Sequence, residues 1–105
     1  MRTLNFIVEG LTIKKDPQCD FSGIVPGTKG YLRAEFKFNH EWVGCKKMVI
    51  FTKQNGRGQV PVKIINNVCM IPDDVLVKRT FKIEVVGVKP DLRLQTNSLE
   101  VNQDG

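Results

Sequence analysis

At 105 residues, with 41% apolar and 26% charged side chains, the chain has the length and balance of one globular domain, too short for two independent cores and too apolar for disorder. Sixteen Lys and Arg against eleven Asp and Glu give a net charge of +5, which permits attraction to anions. The basic residues are nevertheless scattered, paired only at Lys14-Lys15, Lys46-Lys47 and Lys78-Arg79, whereas a nucleic-acid footprint concentrates them on one face.

Taken in chain order, residues 4–8 read as a first strand and residues 11–13 as a short second one. Asp16-Pro17 and Val25-Pro26-Gly27 punctuate the stretch that follows, and Gly23, Gly27 and Gly30 serve turns. Residues 31–38 alternate cleanly: Leu32, Ala34, Phe36 and Phe38 share one face, and Arg33, Glu35 and Lys37 share the other. Trp42 closes this strand as a core anchor, since a buried indole removes roughly 150–250 Å² from water, worth about 4–6 kcal/mol. Residues 48–52 form the next strand, and Asn55-Gly56-Arg57-Gly58 a longer loop. Val60, Val62 and Ile64 then alternate with Pro61 and Lys63. Pro61 cannot donate to a ladder, so its strand is expected at a sheet edge or to enter the sheet there.

Asn66-Asn67, two residues that tolerate positive φ, form the loop of a tight hairpin into residues 68–71. Pro72-Asp73-Asp74-Val75-Leu76-Val77 carries the one helical signal, a single turn with Pro at its first position and acids stabilising its start. Phe81, Ile83 and Val85 alternate with Lys82 and Glu84. After Lys89-Pro90-Asp91, short strands at 92–95 and 99–101 lead to a terminus, Asn102-Gln103-Asp104-Gly105, expected to fray. Short strands at this spacing point to an antiparallel sandwich or barrel with a core of Leu32, Phe36, Phe38, Trp42, Phe51, Phe81 and Ile83.

Little in the sequence speaks for catalysis. His40 is the single histidine, and pairing it with Cys45 supplies neither oxyanion donors nor an orienting group. Cys19, Cys45 and Cys69 are an odd number without CxxC spacing, so they read as reduced thiols of a protein made in a reducing cytosol. Asp73-Asp74 and Asp16 with Asp20 lack the alternating ligands of a calcium loop, and no Gly-rich loop sits between a strand and a helix to cradle phosphate. No cofactor or metal is expected. The N-terminal apolar run is too short for a cleaved signal, and no stretch approaches a membrane span. Contacts with a partner are instead expected around the Pro61 edge and the preceding loop, at Asn55, Arg57, Gln59, Pro61 and Lys63.

One ordered set of motifs goes further. Gly27-Thr28-Lys29-Gly30-Tyr31 leads into Phe36-Lys37-Phe38, Glu41-Trp42-Val43-Gly44, Lys47 and Phe51. Cys69-Met70-Ile71-Pro72-Asp73-Asp74-Val75-Leu76, Val85-Val86-Gly87-Val88 and Leu94-Gln95-Thr96-Asn97 follow. From Val25 to Val101 this order resembles the small immunoglobulin-like domain of baseplate upper and fibre-associated proteins from phages and prophages of Gram-positive bacteria. It departs from that pattern at Val43, Asp74 and Gln95, where the family commonly has an acid, Glu and Thr.

The resemblance implies an all-β fold, an immunoglobulin-like antiparallel β-sandwich of about eight short strands with one helical turn near 72–77, in one domain over residues 1–105. It implies a non-enzymatic virion module at the tail or baseplate, made in the bacterial cytoplasm. Its partners would be other phage structural proteins or further copies of itself. The alternative is a free host-directed protein, such as a stoichiometric inhibitor of a bacterial defence system. Nucleic-acid binding is the remote third, favoured by net charge alone.

Overall fold

The computed structural model describes residues 1–54 and 58–103. Their nine strands are β1 (Arg2–Glu9), β2 (Thr12–Lys15), β3 (Leu32–Phe38), β4 (Lys46–Lys53), β5 (Gln59–Lys63), β6 (Val68–Met70), β7 (Thr80–Lys89), β8 (Leu92–Gln95) and β9 (Leu99–Asn102). They form two sheets. One has the order β2-β1-β3-β6; the other runs β5-β4-β7, with β8 and β9 each pairing one half of β7. The alternating residues of the two sheets meet in one core, with Leu4, Phe6, Val8, Leu32, Ala34 and Phe36 facing Val49, Phe51, Phe81, Ile83, Val85 and Val101. The protein is an all-β sandwich. β3 and β6 share one sheet and β4, β5 and β7 the other, so the chain crosses between sheets three times, after β3, after β5 and after β6.

One pairing departs from the antiparallel expectation. β1 and β3 run parallel and in register, Phe6 beside Phe36 and Val8 beside Phe38. Parallel neighbours need a long connection, here β2 and the segment 16–31, which carries the chain past the end of β1. Arg2 holds that segment by donating to the carbonyls of Asp20 and Ser22, while Phe21 packs edge-on against Phe6 and Ile24 enters the core. Phe21 and Ile24 lie outside any strand, so alternation does not reveal them.

Two short 3-10 turns complete the fold. The expected one spans Asp73–Val75, but Asp73 does not stabilise its own turn through a capping bond. Its carboxylate accepts the Gly30 N–H at 2.9 Å and ties the turn to the segment before β3. The second, His40–Trp42, carries no sequence signal and seats Trp42 in a turn beyond β3 rather than at the strand's end. The expected hairpin forms: Asn66 and Asn67 have φ of 54° and 65°, and Ile65 and Val68 exchange both backbone bonds. The fraying expected at the terminus does not hold for Asn102, which pairs with Thr80, or for Gln103, which is buried and donates to the carbonyls of Leu76 and Lys78.

The expected core residues are buried apart from Phe38, which is half-buried against the cluster. Phe38 belongs to a column of rings, Phe21, Phe6, Phe36, Phe38 and Trp42, whose successive centroids are 5.4–5.9 Å apart. Trp42 ends the column and pins the sheets together. Its indole N–H donates to the Gly10 carbonyl in the β1–β2 turn at 2.8 Å, and its ring lies against Gly87 of β7.

Candidate functional site

The two sheets treat their outer faces differently. On β1 and β3 the outward side chains are chiefly polar, including Thr3, Asn5, Arg33, Glu35 and Lys37, with Arg33 Nε donating to Thr3 Oγ1 at 2.7 Å. This is the wet face that alternation predicts.

The outer face of the five-stranded sheet is apolar at its centre. The registers set Lys63, Met48, Val86 and Gln95 in one row across β5, β4, β7 and β8, and Pro61, Ile50 and Glu84 in the next. Lys46, Val88 and Arg93 form a third row. Met48, Ile50, Pro61 and Val88, with the buried Val86 among them, thus make an apolar centre rimmed by Lys63, Lys46, Arg93, Gln95 and Glu84. Met48 is 37% exposed, Val88 47% and Ile65, beside the patch at the hairpin tip, 67%. At the hairpin end the surface dips into an open groove of about 650 Å³, with Lys46, Met48, Lys63, Ile65, Val86 and Val88 among its lining residues.

Gln59, Pro61 and Lys63 are exposed and share this face along β5; Asn55 and Arg57 lie outside the described residues. Among the described residues, β5 pairs on one side only, with β4. Ile64 donates to Lys47 across that pair, so by alternation the N–H groups of residues 59 and 63 point to the free edge, as would that of residue 61. Pro61 therefore removes the middle donor of the edge. Strand addition is blunted there, and the side chains above the sheet are what β5 offers.

The sequence reading missed Met48, Ile50, Val86 and Val88 as a surface. A signal existed: these residues fall on the off-face of the alternations 49/51 and 81/83/85, where polar residues are expected. Alternation over residues 81–85 sets one face of β7 in water, and Val86 and Val88 lie past the end of that run.

Elsewhere, His40 is exposed at the head of its turn and Cys45 is buried close to Gly87. Burial pushes the Cys69 thiol up to about 12, which keeps it protonated near neutral pH and unreactive. Hydrogen bonds from the Ser22 hydroxyl and N–H hold the Asp20 carboxyl below its usual range. Among the described residues, no three His, Cys, Asp or Glu side chains cluster as a metal site, and no helix is long and apolar enough to cross a membrane. Compared with protein-family models, with curated proteins and with solved structures, the chain matches none.

Proposed function

We propose that this protein is a non-enzymatic docking module that seats on a partner through the outer face of its five-stranded sheet, as a structural or assembly component of a phage tail or baseplate. The observation that carries the docking reading is the contrast between sheets: the β1/β3 face is polar, whereas the β4/β7 face exposes Met48 and Val88 at the centre of a charged rim. Leaving such a patch in water forgoes burial worth roughly 25 cal/mol per Å², and a partner recovers it.

The particle reading draws on the motif resemblance. Its motifs have architectural work to do: Trp42 packs on Gly87, and Thr96-Asn97 fixes the approach to β9. Thr96 Oγ1 accepts from the Val85 N–H, while the Asn97 amide both accepts from the Ile13 N–H and donates to the Ile13 carbonyl, linking the sheets. In a particle, symmetry repeats one modest interface many times, so firm attachment does not require a tight single contact.

The test is mass spectrometry of gradient-purified particles from the phage or induced prophage that encodes the chain, with intensities scaled to the tail-tube protein. Stoichiometric presence, lost in a Met48→Lys/Val88→Lys variant, is the expected result. Absence from clean particles despite expression would overturn the virion reading and transfer the docking face to a host protein, such as a component of a bacterial defence system.

A further inference from the structure

We infer that the groove at the hairpin end of this face takes an acidic protein segment, one that presents an aliphatic side chain on the same face as its carboxylates. The inference rests on the docking reading above and adds the chemistry of the partner.

Among the described residues, the lining of the groove includes three lysines and no carboxylate. Lys47 is already engaged, donating to the Cys45 carbonyl with its ammonium 5.0 Å from the centre of the Phe38 ring. Lys46 and Lys63 are exposed and form no ion pair among the described residues; the ion pairs there are Lys14–Glu9 and Lys53–Asp74. Lys63 stands opposite Met48 on the neighbouring strand, and Lys46 is two residues along β4. Strand rise and spacing put their Cα atoms about 8 Å apart. Carboxylates two residues apart on an extended segment are separated by about 7 Å, close enough for flexible lysines to meet both. Beside them, Met48 and Val88, with the largely buried Val86, offer an aliphatic floor.

The other occupants fit less well. A second copy would bring Lys46 and Lys63 against an equally cationic rim, on a chain of net charge +5. An added strand at the β5 edge meets Pro61. Nucleic acid favours stacking rings, and this groove is lined by none. An acidic segment lying on the face uses both the lysines and the aliphatic floor.

The experiment is selection from a random linear 12-residue peptide library against the intact chain, followed by calorimetry and amide-shift mapping of the enriched peptides. Enriched peptides should carry Asp or Glu two residues from an aliphatic residue and shift the amides of Met48, Val86 and Val88. Their affinity should fall with added salt and drop about tenfold in Lys46→Glu/Lys63→Glu, returning close to the original in Lys46→Arg/Lys63→Arg. Amide spectra of both variants check that they fold.

Neutral or basic peptides that bind this face, or acidic ones indifferent to the charge reversal, would overturn the partner chemistry and leave the docking face standing. No enrichment, or shifts confined to another surface, would overturn both. Competition by a 12-nucleotide single strand with a steep salt slope would assign the groove to nucleic acid instead. A concentration-dependent dimer dissolved by Met48→Lys would assign it to a second copy.

Discussion

At the scale of single residues, Trp42 and Gly87 form the most exacting contact in the sandwich. A Cβ on Gly87 would fall 2.6 and 2.7 Å from Cζ3 and Cε3 of the indole, inside any tolerable separation, and the ring is fixed at its other end by the Gly10 carbonyl. Gly87→Ala is therefore expected to destabilise by about 1–3 kcal/mol in urea unfolding, and by clearly less in a Trp42→Leu background, where the obstructing ring is gone. An equal cost in both backgrounds would mean that the strain lies elsewhere. Cys69 supplies a second residue-scale prediction. Its folded pKa of about 12 lies above the ordinary value of 9.0, so the unfolded chain loses this proton first as pH rises. Stability should fall from about pH 9 upward towards pH 12, and Cys69→Ala should flatten that part of the profile of urea midpoints against pH. An unchanged slope in the variant would show that Cys69 does not carry it. The Trp42 burial was legible in the sequence because a lone indole after two alternating phenylalanines has nowhere better to go. Its partner Gly87 was not, because a glycine needed for close approach looks in sequence like one needed for a turn.

At the scale of elements, strands and turns were readable wherever their chemistry is local. Asn66-Asn67 accepts the positive φ of a two-residue hairpin, and the alternations around Phe36 and Ile83 set their inward faces correctly. Pro61 left two places for β5, a sheet edge or a strand's entry into the sheet, since the missing N–H is harmless only where no neighbour needs it, and the structure places β5 at the edge. Restoring that donor should have a visible effect: Pro61→Val is expected to leave urea stability within about 1 kcal/mol while producing concentration-dependent association in sedimentation velocity. A variant that stays monomeric would show that the edge is protected by something other than Pro61. The second 3-10 turn, at His40–Trp42, escaped the reading because no proline marks it and Asn39 at its N-cap makes no capping bond to the turn. Asn39 instead accepts the Gly10 N–H through its side chain and bonds the Val8 carbonyl through its own N–H, a role visible only once β1 lies alongside.

At the scale of the whole molecule, β1 sits between β2 and β3 and brings Leu4, Phe6 and Val8 to full burial. Burying three such side chains stabilises by roughly 4–9 kcal/mol, comparable to the entire stability of a small domain. Removal of residues 1–9 is therefore expected to abolish the cooperative unfolding transition and collapse the amide spectrum. A folded truncated chain would mean that β3 finds another neighbour. The candidate site belongs to this scale as well. Gln59, Pro61 and Lys63 were identified from β5 alone, but the patch they border is assembled from β4 and β7, more than twenty residues further apart in places than any local pattern reaches.

The sequence by itself determined the all-β class, the approximate places of the strands, the hairpin at Asn66-Asn67 and most of the core. These follow from alternation and turn preference, which act over a few residues. Only the tertiary structure decided that β1 and β3 run parallel, that segment 16–31 lends Phe21 and Ile24 to the core, that Gly87 makes room for Trp42, and that Met48 and Val88 share an open face. Each depends on which distant strands become neighbours and in what register, and a shift of one residue would turn the same side chains to the opposite face.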